Sequence, residues 1–108
     1  MQRVTRLILV TASHLPTHKY FKSIAEELSK KLGVELEIRE EDYVFLSEYG
    51  EKDEFGMAGA PQLFVVLESG EIKPILTKLV FNEKTLQIDV SKSMELAIEN
   101  LRRLGVEI

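Results

Sequence analysis

Arg3-Val4-Thr5-Arg6-Leu7-Ile8-Leu9-Val10-Thr11-Ala12 has the pattern of a strand. Val4 and the unbroken run Leu7 to Val10 leave almost no polar alternation. A strand with one wet face alternates polar and apolar side chains. A continuous apolar run instead suits a central strand covered on both faces. Ser13-His14-Leu15-Pro16-Thr17 breaks the run. From about His18 to Leu32, Phe21, Ile24, Ala25, Leu28 and Leu32 recur at spacings of three and four, which predicts a helix with one apolar face. Gly33 is its natural stop.

Further along, Val34, Leu36 and Ile38 alternate with Glu35 and Glu37, the pattern of a half-exposed strand with one buried face. Glu40 to Gly56 is expected to hold a short helix anchored by Tyr43, Val44, Leu46 and Tyr49. Gln62 to Glu68, centred on Leu63 to Leu67, reads as a strand, and Ser69-Gly70 as the turn into a hairpin partner. Pro74 lacks an N–H and assigns that partner to a sheet edge or a late start. Asn82 to Thr85 suggests a turn into a further short strand, Leu86 to Val90. Ser91 or Ser93 then caps a helix running to about Leu104, with a stripe of Met94, Ala97, Ile98, Leu101 and Leu104, ended by Gly105. The order is β-α-β-α, a β-hairpin, then α. The first β-α-β unit should be a right-handed parallel crossover. A mixed sheet of four to five strands between helices, a three-layer α/β/α arrangement, follows.

The 108 residues are expected to form one domain. Hydrophobic residues make up 44% of the chain, which argues against global disorder. The 30% charged fraction, dominated by Lys and Glu, leans towards a thermophile composition. With no cysteine there is no disulfide, thiolate nucleophile or Cys-ligated metal. The apolar run near the start is far too short for a signal-peptide core or a membrane span, so a cytoplasmic location away from membranes is expected. The net charge of −4 weighs against nucleic-acid binding. Its distribution is uneven. Residues 1–34 carry six basic and two acidic groups, whereas residues 35–54 carry nine acidic and two basic ones. The acidic block is either a solvated face or a docking surface for a basic partner.

Two local motifs give this order a resemblance. The first strand ends in His14-Leu15-Pro16-Thr17 and runs into a helix. Thioredoxins place Cys-Gly-Pro-Cys there, so the proline matches while His14 and Thr17 stand in for the cysteines. Before the hairpin, Phe55-Gly56-Met57-Ala58-Gly59-Ala60-Pro61 resembles the family's aromatic-Gly-apolar-x-Gly-x-Pro run, which ends in a cis-proline facing the redox motif. The chain thus resembles a degenerate, thioredoxin-like protein over nearly its whole length, although Lys73 to Val90 is longer than the family counterpart. The departures all bear on redox chemistry. Both thiols are missing, the family's buried acid in the first strand aligns with Ile8, and the aromatic before its motif aligns with Ser13. Thiol–disulfide exchange needs an attacking thiolate and a resolving thiol. The resemblance therefore implies a scaffold without disulfide oxidoreductase activity.

Within that scaffold, the expected binding residues are Ser13, His14, Leu15, Pro16, Thr17, Ala60 and Pro61. The family pairs the backbone beside its loop proline with extended peptides, so the resemblance gives Ala60 a β-augmentation role. The leading expectation is a non-redox module that binds a protein or peptide, with no catalytic residue, metal or cofactor. Self-association through an edge strand in Ile72 to Val90 is a further expectation. The alternative is a small-molecule or anion-binding protein, or an enzyme, using His14 and Thr17 in the same cleft. His14 would sit at the positive end of the first long helix, which favours neutral imidazole. Thr17 would serve as nucleophile if His14 reached it, or as an N-cap if not. His14 and His18 have the spacing of two metal ligands on a helix, but Pro16 and Thr17 put the helix start between them. Lys19 and Lys22 would favour a bound anion at the helix N-terminus. Tyr43, Phe45 and Tyr49 in the acidic block are either a binding surface or boundary packing.

Overall fold

In the computed structural model, which describes residues 2–108, the opening apolar run becomes strand β1, Val4–Thr11. It pairs in parallel with β2, Glu35–Glu40, and antiparallel with β3, Gln62–Leu67. β4, Ile72–Leu76, is antiparallel to β3, giving one mixed sheet in the order β2-β1-β3-β4. Leu7, Ile8, Leu9 and Val10 have no exposed surface. The alternation of a strand sends them into two cores. Leu7 and Leu9 meet Phe21, Ile24, Ala25 and Leu28 of α1, His18–Leu32, and Ala97 and Leu101 of α3, Val90–Arg103. Ile8 and Val10 meet Phe64 and the Phe45–Leu46 pair of α2, Tyr43–Tyr49. The run is continuous because both faces are covered, α1 and α3 on one and the much shorter α2 on the other.

Local chemistry sets the element ends. α1 closes at Gly33, whose φ of +66° is left-handed and suits a residue without a side chain. Val34 N–H then donates to the Ser29 carbonyl at 3.1 Å, and the chain enters β2. Asp42 caps α2 by accepting from Phe45 N–H at 3.0 Å.

Several expectations are corrected. Ile38, assigned to the buried face of its strand, is 44% exposed, because β2 forms an outer edge of the sheet and has a neighbouring strand on one side only. Val44 does not anchor α2. It is 79% exposed, and Phe45 is buried instead. Two turns of helix present one narrow face to the sheet, and Phe45 takes it by meeting Phe64 edge-on at 5.0 Å. Tyr43 is exposed, while Tyr49 lies 4.8 Å from the Phe45 ring.

The segment after β4 departs furthest. Leu86 to Val90 does not form a strand of the main sheet. Phe81–Asn82 (β5) and Gln87–Ile88 (β6) pair only with each other, and Val90 already belongs to α3. The main sheet therefore has four strands. Neither Ser91 nor Ser93 caps α3; Asp89 does, accepting from Lys92 N–H at 2.9 Å. Ser93 is fully buried. Its hydroxyl accepts from Val80 N–H and donates to the Asp89 carbonyl, both at 2.8 Å, which ties the hairpin base to the helix. Replacing Asp89 with Ala is expected to cost about 1 kcal/mol, the usual worth of a cap. Urea denaturation would measure it, and a change within a few tenths of a kcal/mol would contradict the capping role.

Pro74 lies on β4, at an edge as its chemistry demands. Asn100 of α3 donates its side-chain amide to the Ile75 carbonyl at 2.9 Å. The missing N–H and the occupied carbonyl blunt the edge that the sequence offered for self-association.

Candidate functional site

α1 starts where β1 ends. In the turn between them, Leu15 N–H donates to the Ala12 carbonyl at 3.0 Å and His18 N–H to the Leu15 carbonyl at 3.1 Å. Thr17 is the N-cap residue. Its carbonyl accepts from Tyr20 and Phe21, but its side chain makes no capping bond.

The loop from Glu51 to Pro61 is built against this helix start by three devices. Gly50 is required for space: a Cβ there would stand 2.6 Å from the Leu46 carbonyl oxygen. Asp53 folds the loop tip, its Oδ1 accepting from Phe55 N–H at 2.9 Å and Met57 N–H at 3.0 Å. Gln62, 3% exposed at the start of β3, holds both loop ends. Its Oε1 accepts from Glu51 N–H at 2.9 Å, and its Nε2 donates to the Glu51 and Gly59 carbonyls, each at 3.0 Å.

The result is a groove of about 630 Å³ lined by Thr17, Met57, Ala60, Pro61, Leu79 and Phe81 among others. Met57 is 69% and Phe81 60% exposed, unusual for large apolar side chains standing together. The Ala60–Pro61 peptide is cis. Neither the N–H nor the carbonyl of Ala60 bonds to another described residue.

Of the seven residues expected at the site, the structure brings Thr17, Ala60 and Pro61 together. Ser13, His14, Leu15 and Pro16 do not line the groove. Ser13 is held on β2 instead, its N–H and hydroxyl donating to Glu40 Oε1 at 2.7 and 2.9 Å. His14 is exposed, and among the described residues no hydrogen bond joins it to Thr17, so the base–nucleophile pair is not assembled. His18 turns back to β1, with Nδ1 2.8 Å from the buried Thr11 hydroxyl. No group of three or more metal-ligating side chains gathers among the described residues.

Part of the acidic block is committed to the fold, while the exposed Glu35, Glu41, Glu48 and Glu54 side chains make no bond to another described residue. Arg39 pairs with Glu37 and Asp42, Glu40 receives Ser13, and Glu51 accepts from the Thr77 hydroxyl. Ser13's backbone N–H, then its hydroxyl, and the nearby charges of His18 and His14 hold the Glu40 carboxyl below its ordinary range. A carboxyl depressed in the folded state stabilises the fold above its unfolded pKa, and that contribution is lost as pH falls through the folded value. Glu40 is therefore expected to titrate below an unfolded-chain glutamate, with the Ser13 amide proton shift following the same curve. Titration of Glu40 at or above the ordinary glutamate value, followed by NMR, would contradict the contact.

Comparison with known proteins found no matching protein-family model, curated protein or solved structure.

Gln62, Asp53, Met57 and Phe81 escaped the sequence reading as site residues. Gln62 carried a signal, being a polar residue opening an otherwise apolar strand. Phe81 carried none, because the segment around it lacks a clear period.

Proposed function

We propose that this chain is a non-redox, thioredoxin-like module that binds an extended protein or peptide segment in the groove between Thr17, Ala60–Pro61 and Phe81. One observation carries the reading. An unbonded backbone unit at Ala60 stands in a groove beside exposed Met57 and Phe81. A partner strand satisfies such a backbone unit by pairing with it, while apolar side chains fill the groove beside it. The element order and the loop proline beside the start of α1 support the thioredoxin-like reading. The missing thiols support the absence of redox activity.

The test is affinity capture from the native lysate with the intact protein and an Ala60→Arg/Thr17→Arg variant of verified folding. The reading expects partners held by the intact protein and lost by the variant. Identical capture by both forms would place protein binding elsewhere.

A further inference from the structure

β2 is the other open edge of the sheet. Just past its end, Glu41 N–H donates to the Thr11 carbonyl of β1 at 2.8 Å. Backbone groups alternate sides along a strand. Glu35, Glu37 and Arg39 therefore turn theirs to β1, and the N–H and carbonyl groups of Leu36, Ile38 and Glu40 point outward. No described residue bonds to them from that side. Unlike β4, the strand holds no proline, and Ile38 is 44% exposed. Such a row of unpaired groups is a template for another strand.

The side chains select which strand fits. Pairing with β1 sets Glu35, Glu37 and Arg39 on the α2 face of the sheet, beside Arg6, Ile8 and Val10. Leu36 and Ile38 lie on the α1 face, beside Leu7 and Leu9. Consider a second β2 running antiparallel, related by a two-fold axis at Glu37. Glu35 then stands opposite the partner's Arg39, and Leu36 opposite the partner's Ile38, each twice. The outward groups of Leu36 and Ile38 form the hydrogen-bonded pairs. Opposed side chains of antiparallel strands touch, so unlike charges attract there and like charges repel. The Glu35 carboxylate is free, and Arg39 Nη2 bonds to no described residue. Glu37 meets the partner's Glu37 at the axis, but each is bonded to its own Arg39 and lies 3.7 Å from its own Arg6. Charges on an edge discourage chance pairing; the two-fold turns these same charges into matched pairs. An axis at Ile38 would set Glu37 against the partner's Arg39, but also Leu36 against the partner's Glu40 and Glu35 against the partner's Glu41.

We propose that this chain forms a two-fold dimer through β2, joining two four-stranded sheets edge to edge. No residue of β2 lines the groove, so this surface is separate from the peptide-binding one. The test is sedimentation velocity over a concentration series. The samples are the intact protein, E35R, R39E, an equimolar mixture of those two variants, and I38K, each variant checked by circular dichroism. The intact protein should reach the mass of a dimer. E35R and R39E each place like charges opposite one another and should weaken association on the order of tenfold. Their mixture places unlike charges opposite at both positions and should restore the dimer. I38K sets a charge against the partner's Leu36 and should weaken the dimer as well. In the intact protein, amide hydrogen exchange at Leu36 and Ile38 should slow as concentration rises. An intact protein that stays monomeric throughout overturns the proposal. So does a dimer that survives E35R, R39E and I38K, with exchange at Leu36 and Ile38 independent of concentration. Loss of the dimer in E35R and R39E without recovery in their mixture overturns the charge pairing on which the proposal rests.

Discussion

Replacing Phe64 with Ala is expected to destabilise the fold by about 3–5 kcal/mol, the usual range for a buried phenylalanine. At about 4–5 °C per kcal/mol for a domain of this size, the midpoint of thermal unfolding should fall by about 12–25 °C. Phe64 is fully buried at the centre of β3, among Ile8, Val10, Phe45, Leu46 and Val66. The core on this face is small and closed by seven helical residues. The opposite face has two long helices to distribute a loss, whereas here Phe45 meets the missing ring directly. Collapse into the cavity would require α2 to move, and Asp42 and Gly50 fix both its ends. Calorimetry would read the effect. A loss below 1 kcal/mol would mean that α2 is not packed on the sheet as described.

Replacing Gln62 with Leu is expected to cost about 1–3 kcal/mol, and to disturb the groove more than the core. Leucine fits an apolar strand, so a reading based on hydrophobic pattern alone expects a neutral or stabilising change. The structure gives the opposite sign. The amide satisfies one N–H and two carbonyls on the loop, and leucine satisfies none of them. The loop should detach and hydrate its own backbone, carrying Met57 and Ala60 out of register with Thr17. Two readouts separate this from simple core damage. The Glu51 amide should lose hydrogen-exchange protection, while the β1 amides change only with global stability. An unchanged Glu51 amide would contradict the positioning role.

Both residues show which parts of the molecule the sequence spelled out. The central strand, α1 and the pairing of β3 with β4 were legible because their side-chain periods are long and clean. Leu7 to Val10 and the Phe21-to-Leu28 stripe leave little choice of structure. Pro74 marked a sheet edge through its missing N–H. α2 was blurred because two turns are too few for a period to separate Phe45 from Val44. Leu86 to Val90 was misread because apolar residues in a short hairpin mimic a strand, and that hid Asp89 as the cap of the final helix. That Thr17, Ala60 and Pro61 would come together was legible from their motifs. Their partners were not, because Met57 and Phe81 come to the groove through loop hydrogen bonds and a separate hairpin. His14 was drawn to the site by proximity in sequence to Thr17, yet the turn at Leu15 and Pro16 leaves it outside the groove.

Peptide binding in the groove beside Ala60 and Pro61 is read residue by residue by amide NMR of the intact protein, titrated with a peptide selected on it from a random library. Shifts are expected to concentrate at Thr17, Met57 to Ala60 and Leu79 to Phe81, with the Ala60 amide moving as its N–H gains a partner. Shifts concentrated instead on α2 around Tyr43 and Val44, with Ala60 unmoved, would contradict it.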